Sequence, residues 1–198
     1  LDTANDYADS SGNGRDGTVS ASPPFVPTHN SSQTPSLYVA AGSHTFDGAN
    51  DSVIIGDAEI WNAIIGTDID GGSTEKMTLS AWIRPLSDGE GDAGRIIDFG
   101  AQDVALFIAD ESGTTARIYY TVKFTASSSS TAVWRTTNRE ITLSQWNHVA
   151  VSFDTTSVSN DPVIYINGVA VDVTETTTPA GHYGGIESAT CRIGNMAG

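Results

Sequence analysis

Residues 144–154 read SQWNHVAVSFD, and how they are read decides the fold. A histidine six positions before an aspartate raises the question of a catalytic pair. Period-two alternation answers it. On a strand, Asn147, Val149, Val151 and Phe153 share one face, and Trp146, His148, Ala150, Ser152 and Asp154 share the other. At about 3.3 Å per residue, His148 and Asp154 lie about 20 Å apart. A general base and the group that orients it must be within hydrogen-bond reach, so these two form no relay. The stretch is a strand with an apolar face turned to a core.

The same alternation recurs outward from it. In Met77–Arg84, Met77, Leu79, Ala81 and Ile83 share one face, and Thr78, Ser80, Trp82 and Arg84 the other. Short runs rich in Val, Ile, Phe and Tyr predict further strands at Ser36–Ala40, Ser52–Ile55, Arg95–Phe99, Val104–Ala109, Ala116–Phe124, Ala132–Thr136, Val163–Ile166, Val169–Val173 and Cys191–Ile193. One helix is predicted, the short Ala58–Ile65. Asn167-Gly168 in VIYINGVAV tolerates the positive φ angles of a two-residue type I′ turn, so a hairpin is predicted there. The proline-rich stretch SASPPFVPTHNSSQTPS and the polar TASSSST (Thr125–Thr131) read as loops. About ten short strands at this spacing predict an all-β fold, a two-sheet antiparallel sandwich in one domain over residues 1–198.

Composition narrows the partners. Nine Lys and Arg against 24 Asp and Glu give a formal charge of −15. Such a surface repels phosphate backbones and anionic membranes, so nucleic acid is not an expected partner. No apolar run reaches membrane-spanning length, and no membrane insertion is expected. The single cysteine, Cys191, excludes a disulfide within the chain.

Six phrases, in order, carry a family likeness: DSSGNGRDGTV (Asp9–Val19), TFDGANDSVIIG (Thr45–Gly56), MTLSAWIRP (Met77–Pro85), WNHVAVSFD (Trp146–Asp154), VIYINGVAV (Val163–Val171) and CRIGN (Cys191–Asn195). Together they resemble the laminin-G-like, concanavalin-A-like jelly-roll domains, on the branch of bacterial and viral multidomain surface proteins related in shape to pentraxins. The resemblance implies a two-sheet antiparallel jelly-roll β-sandwich. It implies binding of glycans or proteins rather than catalysis, often with calcium. Such domains close with a further strand after the IGN stretch. The chain ends at Gly198, so the expectation is a domain whose closing strand is lacking or comes from another chain.

Candidate chemistry follows. Calcium needs hard oxygen ligands converging from a loop. FDGAND offers Asp47, Asn50 and Asp51, and GTDIDGGSTE offers Asp68 and Asp70. Asx-turns would use the same residues. Trp61, Trp134 and Tyr183 are candidates for stacking on a sugar, with His182 beside Tyr183 in the glycine-rich GHYGGIE. Glycosidase relatives of this fold carry several alternating carboxylates on one strand. EGDAGR has only two, in a turn. Lyase relatives cluster Arg, Gln, His and Tyr. ARIYYTVKF has Arg117, Tyr119 and Lys123, but no Gln-x-His partner exists. No catalytic residue is therefore assigned.

The expected function is a non-catalytic adhesion module that recognises glycans or glycosylated surfaces, within a larger extracellular, cell-surface or virion protein. The alternative is a structural component decorating a viral particle or extracellular filament, in contact with copies of itself.

Overall fold

The computed structural model describes residues 16–19, 27–30, 42–66, 76–100, 102–125, 130–187 and 190–195. The predicted strand Ser36–Ala40 lies outside them. In chain order the strands are β1 (Thr18–Val19), β2 (Thr28–Asn30), β3 (Ser43–Thr45), β4 (Ser52–Gly56), β5 (Lys76–Ile83), β6 (Gly94–Phe99), β7 (Val104–Ser112), β8 (Thr115–Thr125), β9 (Ser130–Thr136), β10 (Ile141–Thr142), β11 (Asn147–Asp154), β12 (Val163–Ile166), β13 (Val169–Val171), β14 (Val173–Thr177), β15 (His182–Tyr183) and β16 (Cys191–Gly194). Among the described residues the single α-helix, α1, spans Ala58–Ile65 as its sequence predicts, and a 3₁₀ turn occupies Glu90–Asp92.

The large sheet runs β1-β4-β16-β6-β7-β8-β9-β14, with β10 and β15 also pairing with β8. The small sheet runs β13-β12-β11-β5, and among the described residues β2 pairs with β3 alone. The two sheets pack face to face, the antiparallel jelly-roll sandwich expected from the sequence. Large-sheet residues Val104, Leu106, Ile118, Tyr120, Val122, Phe124 and Trp134 meet small-sheet residues Met77, Leu79, Val149, Val151, Phe153, Ile164 and Ile166 in one buried cluster. Thr78, Ser80 and Ser152 are exposed, as alternation requires.

β11 anchors the small sheet. It pairs along its whole length with β5, from Asn147 opposite Ile83 to Asp154 opposite Lys76, and with β12 on its other side. His148 sits opposite Trp82, with ring centroids 5.2 Å apart. Its backbone holds the hairpin turn: the Asn167 N–H donates to the His148 carbonyl at 2.8 Å, and the His148 N–H donates to Asn167 Oδ1 at 2.9 Å. Asn167 and Gly168 have φ of 53° and 82°, the left-handed pair of a type I′ turn. Asp154 bonds to Thr156 and pairs with Lys76 at 3.1 Å, so His148 and Asp154 act separately.

Val169–Val173, read as one strand, is two. The chain crosses between sheets at Asp172: β13 pairs with β12, and β14 pairs with β9. The Asp172 carbonyl accepts the Thr137 N–H at 2.8 Å at the crossing. Period-two alternation continues through such a corner, so the pattern conceals it.

α1 begins at Asp57, whose Oδ1 accepts the Ile60 N–H at 3.0 Å. That is the N-cap bond that satisfies a free donor of the first turn. It ends at Gly66, with φ of 87°.

Phe153 is 2% exposed and meets Trp134 at 5.0 Å, Tyr120 at 5.9 Å and Phe124 at 6.5 Å between ring centroids. Phe153→Ala removes the ring and leaves a cavity between the sheets, and is expected to cost about 3–5 kcal/mol. Urea or guanidinium melts measure it. A loss under about 1 kcal/mol would place the ring outside the core.

Candidate functional site

FDGAND forms a closed turn. Asp47 Oδ1 accepts the N–H groups of Ala49 at 2.9 Å, Asn50 at 3.0 Å and Asp51 at 3.2 Å. Asp51 Oδ2 accepts the Asp47 N–H at 3.0 Å. The CRIGN phrase packs against this turn. The Asn195 N–H donates to the Asp51 carbonyl at 2.9 Å, and its side-chain amide donates to the Ala49 carbonyl. Gly194 has φ of 87°, and a Cβ there would stand 2.5 Å from the Phe46 ring and 2.6 Å from the Asp51 carbonyl oxygen. Only glycine fits.

These bonds split the two carboxylates. The amides of Ala49 and Asn50 hold the Asp47 carboxyl below its usual pKa. Burial pushes Asp51 up. As metal ligands, the residues are thus unequal. Asp47 is spent on the turn, while Asn50 Oδ1 and Asp51 Oδ1 are buried oxygens without a hydrogen-bond partner. Those two fit a hard cation, but calcium takes 6–8 oxygens. Among the described residues, no three His, Cys, Asp or Glu side chains converge. Asp68 and Asp70 lie outside the described residues.

The aromatic candidates do not gather into one site. Trp61 is half-buried on α1, donates from Nε1 to the Ile55 carbonyl at 3.0 Å and packs on Phe99 at 4.8 Å. Trp134, expected to be exposed, is fully buried, with Nε1 donating to Asp161 at 2.8 Å. Tyr183 is also buried, its ring centroid 6.4 Å from that of Phe124. Both sit on core-facing positions of the alternation, so neither offers a ring face to a ligand. His182 is exposed, its Nε2 3.0 Å from Thr125 Oγ1.

The opposite face of the large sheet holds an arrangement that single-strand reading passed over. Arg95 of β6 lies opposite Phe107 of β7, Phe107 opposite Tyr119 of β8, and Tyr119 opposite Arg135 of β9. The four form a row across the sheet, about 14 Å long at about 4.8 Å per strand. The Arg95 guanidinium lies 5.1 Å over the Phe107 ring. The Phe107 and Tyr119 rings stack at 5.3 Å and 23°. Arg135 donates to the Tyr119 hydroxyl at 3.2 Å.

Asp110 stands at the Arg135 end. It occupies the left-handed region, φ 59°, at a bulge between Ala109 and Ser112, a conformation Asp tolerates better than most side chains. This aims its carboxylate at three guanidiniums: Arg117, Arg135 at 3.4 Å and Arg139 at 2.7 Å. Arg117 also donates to the Thr137 carbonyl. Burial, then the charges of Arg139 and Arg135, lower the Arg117 pKa. The neighbouring acids are engaged: Asp92 accepts the Asp110 N–H at 2.6 Å, and Asp88 accepts the Glu111 N–H at 3.0 Å. A hydrogen bond with Asp88 raises the Asp92 pKa.

A cavity of about 600 Å³ opens between β5, β3 and the large sheet. Phe46, Trp82, Ile96, Ile97 and Trp146 are among its lining. Its mostly apolar wall suits an apolar occupant better than sugar hydroxyls, whose desolvation needs hydrogen-bond partners in return.

Over residues 47–197 the chain matches the concanavalin A-like lectin/glucanase superfamily (Laminin_G_3), and it belongs to that family. Comparison with curated proteins and with solved structures finds no match.

The family name covers both binding and hydrolysis. Hydrolysis of a glycosidic bond needs two carboxyl groups about 5–9.5 Å apart, flanking the sugar. Among the described residues, the acids beside the row are held by cations or amides. Asp98 pairs with Arg95 at 3.2 Å, and Asp103 with Lys123 at 3.4 Å. Asp110 faces its three arginines.

Asp47→Asn keeps the oxygen acceptor and removes its charge. A depressed carboxyl pKa contributes stability above the unfolded value of about 3.9 and loses it as pH falls through the folded value. The variant is therefore expected to be less stable than the parent at neutral pH and to lose less on acidification below pH about 4. Thermal melts from pH 2 to 7 measure this (range chosen to bracket the carboxyl titration). Parallel curves would leave Asp47 without a charge role.

Proposed function

We propose that the protein is a non-catalytic carbohydrate-binding module, and that the glycan lies along the Arg95–Phe107–Tyr119–Arg135 row. Family membership and this row support the reading, and the row is the observation that carries it. The stacked rings form a rigid apolar ridge whose edges can meet the C–H groups of a sugar. The Arg135 guanidinium, 33% exposed at one end of the row, supplies donors for its hydroxyls. Such a site is shallow, so a single module binds weakly and gains strength from repetition on one surface.

A glycan array followed by calorimetry tests the proposal. Tyr119→Ala is expected to weaken binding about tenfold, near the 1.4 kcal/mol of one lost aromatic contact, with the fold intact by circular dichroism. Release of shorter saccharides from a bound glycan would make the protein a hydrolase instead.

Calcium enters the reading through Asn50 Oδ1 and Asp51 Oδ1, the unpartnered oxygens beside Asp47. A ligand of the folded state at a hundredfold excess over Kd stabilises by about 2.7 kcal/mol. Melts with calcium and with chelator are then expected to differ by several degrees. Identical melts would leave the loop an Asx-turn only.

A structural role in contact with neighbouring copies is the second reading. It draws on β5, which among the described residues pairs with β11 alone; an unpaired ladder edge is a template for another strand. Sedimentation of a concentration-independent monomer would remove it.

A further inference from the structure

We infer that the row selects a 6-deoxy sugar, seating the sugar's methyl group on Phe107 and its ring hydroxyls on Tyr119 and Arg135. This rests on the carbohydrate-binding reading and adds the chemical class of the sugar.

The two ends of the row are unlike. At one end, polar groups are within reach of a ligand. The Arg135 side chain is 33% exposed, and its Nη1 donates to the Tyr119 hydroxyl oxygen at 3.2 Å. Since that oxygen accepts from Arg135, the phenol's own O–H is left to donate elsewhere. A sugar hydroxyl both gives and takes, so it can accept from the phenol or from the guanidinium.

At the other end, Phe107 stands half-buried with both ring faces covered. The Arg95 guanidinium lies 5.1 Å over one, and the Tyr119 ring stacks at 5.3 Å on the other. The ring's outer edge is therefore what a ligand meets. Among the described residues beside it on this face, Tyr119 alone presents a polar group. Arg95 is 9% exposed and pairs with Asp98 at 3.2 Å. Along β7 the same-face neighbours are Ala105 and Ala109, both buried. Opposite these two on β8 stand Thr121, which is buried, and Arg117, which is tied to Asp110 and the Thr137 carbonyl.

This asymmetry selects the ligand. The two rings are close enough for one pyranose to touch both, with ring hydroxyls at the Tyr119 rim and its exocyclic carbon at the Phe107 rim. A common hexose carries a hydroxyl on that carbon. Over Phe107 the hydroxyl gives up water and finds no partner in return, which is unfavourable. A 6-deoxy hexose carries a methyl group there instead. The methyl has no hydrogen bond to lose, and its contact with the ring edge removes apolar area from water.

Nuclear magnetic resonance titration with matched methyl glycosides tests the inference: L-fucoside against L-galactoside, and L-rhamnoside against L-mannoside. The members of each pair differ by a single hydroxyl, the one on the exocyclic carbon. In at least one pair the 6-deoxy member is expected to bind about tenfold tighter, the scale of one methyl buried and one hydroxyl spared desolvation. Phe107→Tyr puts a hydroxyl at the apolar end and is expected to erase that margin. Tyr119→Phe is expected to weaken both members alike and leave the margin in place. A structural role for Phe107 alone would move both members of a pair equally. Phe107→Ser, which also removes the apolar edge, serves if Phe107→Tyr folds poorly. Equal affinity within both pairs, preference for the hydroxylated members, or a margin unchanged in the Phe107 variants would overturn the inference and leave the carbohydrate-binding reading standing. So would binding of cellohexaose or mannohexaose by a protein that ignores all the glycosides. Failure of every saccharide to bind would defeat both.

Discussion

The ring of Phe153, wedged between Tyr120, Phe124 and Trp134, joins the two sheets. The large sheet commits the even positions of β8 to this contact, from Ala116 to Phe124, and Ala132 and Trp134 of β9 follow the same rule. Because the pleat has a period of two, burying one set fixes where the other set goes. Arg117, Tyr119 and Arg135 are carried to the opposite face by that choice. Core and candidate site are two sides of one register, and a slip of one residue in β8 would exchange them.

That dependence explains what could be read from the sequence. The β11 strand was legible because Val149, Val151 and Phe153 alternate with small or polar residues, and alternation is local. The hairpin was legible because Asn167-Gly168 carries its own backbone preference. α1 was bounded by Asp57 and Gly66, both local signals. The Arg95–Phe107–Tyr119–Arg135 row was not legible, since it exists only through the register of three strand pairings. Its members are separated by 12 to 16 positions, and each alone is an ordinary strand residue. Arg117, Tyr119 and Lys123 at alternate positions were the visible trace of that face. Asp110 was hidden by the bulge that turns it. Trp134 has the residue type of an exposed stacking ring, but it shares its face of β9 with Ala132 and Thr136, both wholly buried.

The family phrases also acquire a physical meaning. FDGAND and CRIGN lie about 145 positions apart in the chain and meet at one contact, where the amide of Asn195 reaches the Ala49 carbonyl. Gly194 is there because the backbone passes between the Phe46 ring and the Asp51 carbonyl without room for a Cβ. Asp47 is there because three consecutive amides need an acceptor. In this chain the two phrases make one joint, the place where β16 is fastened beside β4.

The lone thiol sits on this same strand. Cys191 is wholly enclosed between β4 and β6, and burial pushes its pKa up to about 12. Since the thiolate is the reactive form, the native protein is silent to alkylating reagents at neutral pH. Reaction must wait until β16 parts from its neighbours. The chain thus carries an internal clock: the rate at which a maleimide captures its one sulfur counts the openings of the strand that the Asn195 joint holds shut.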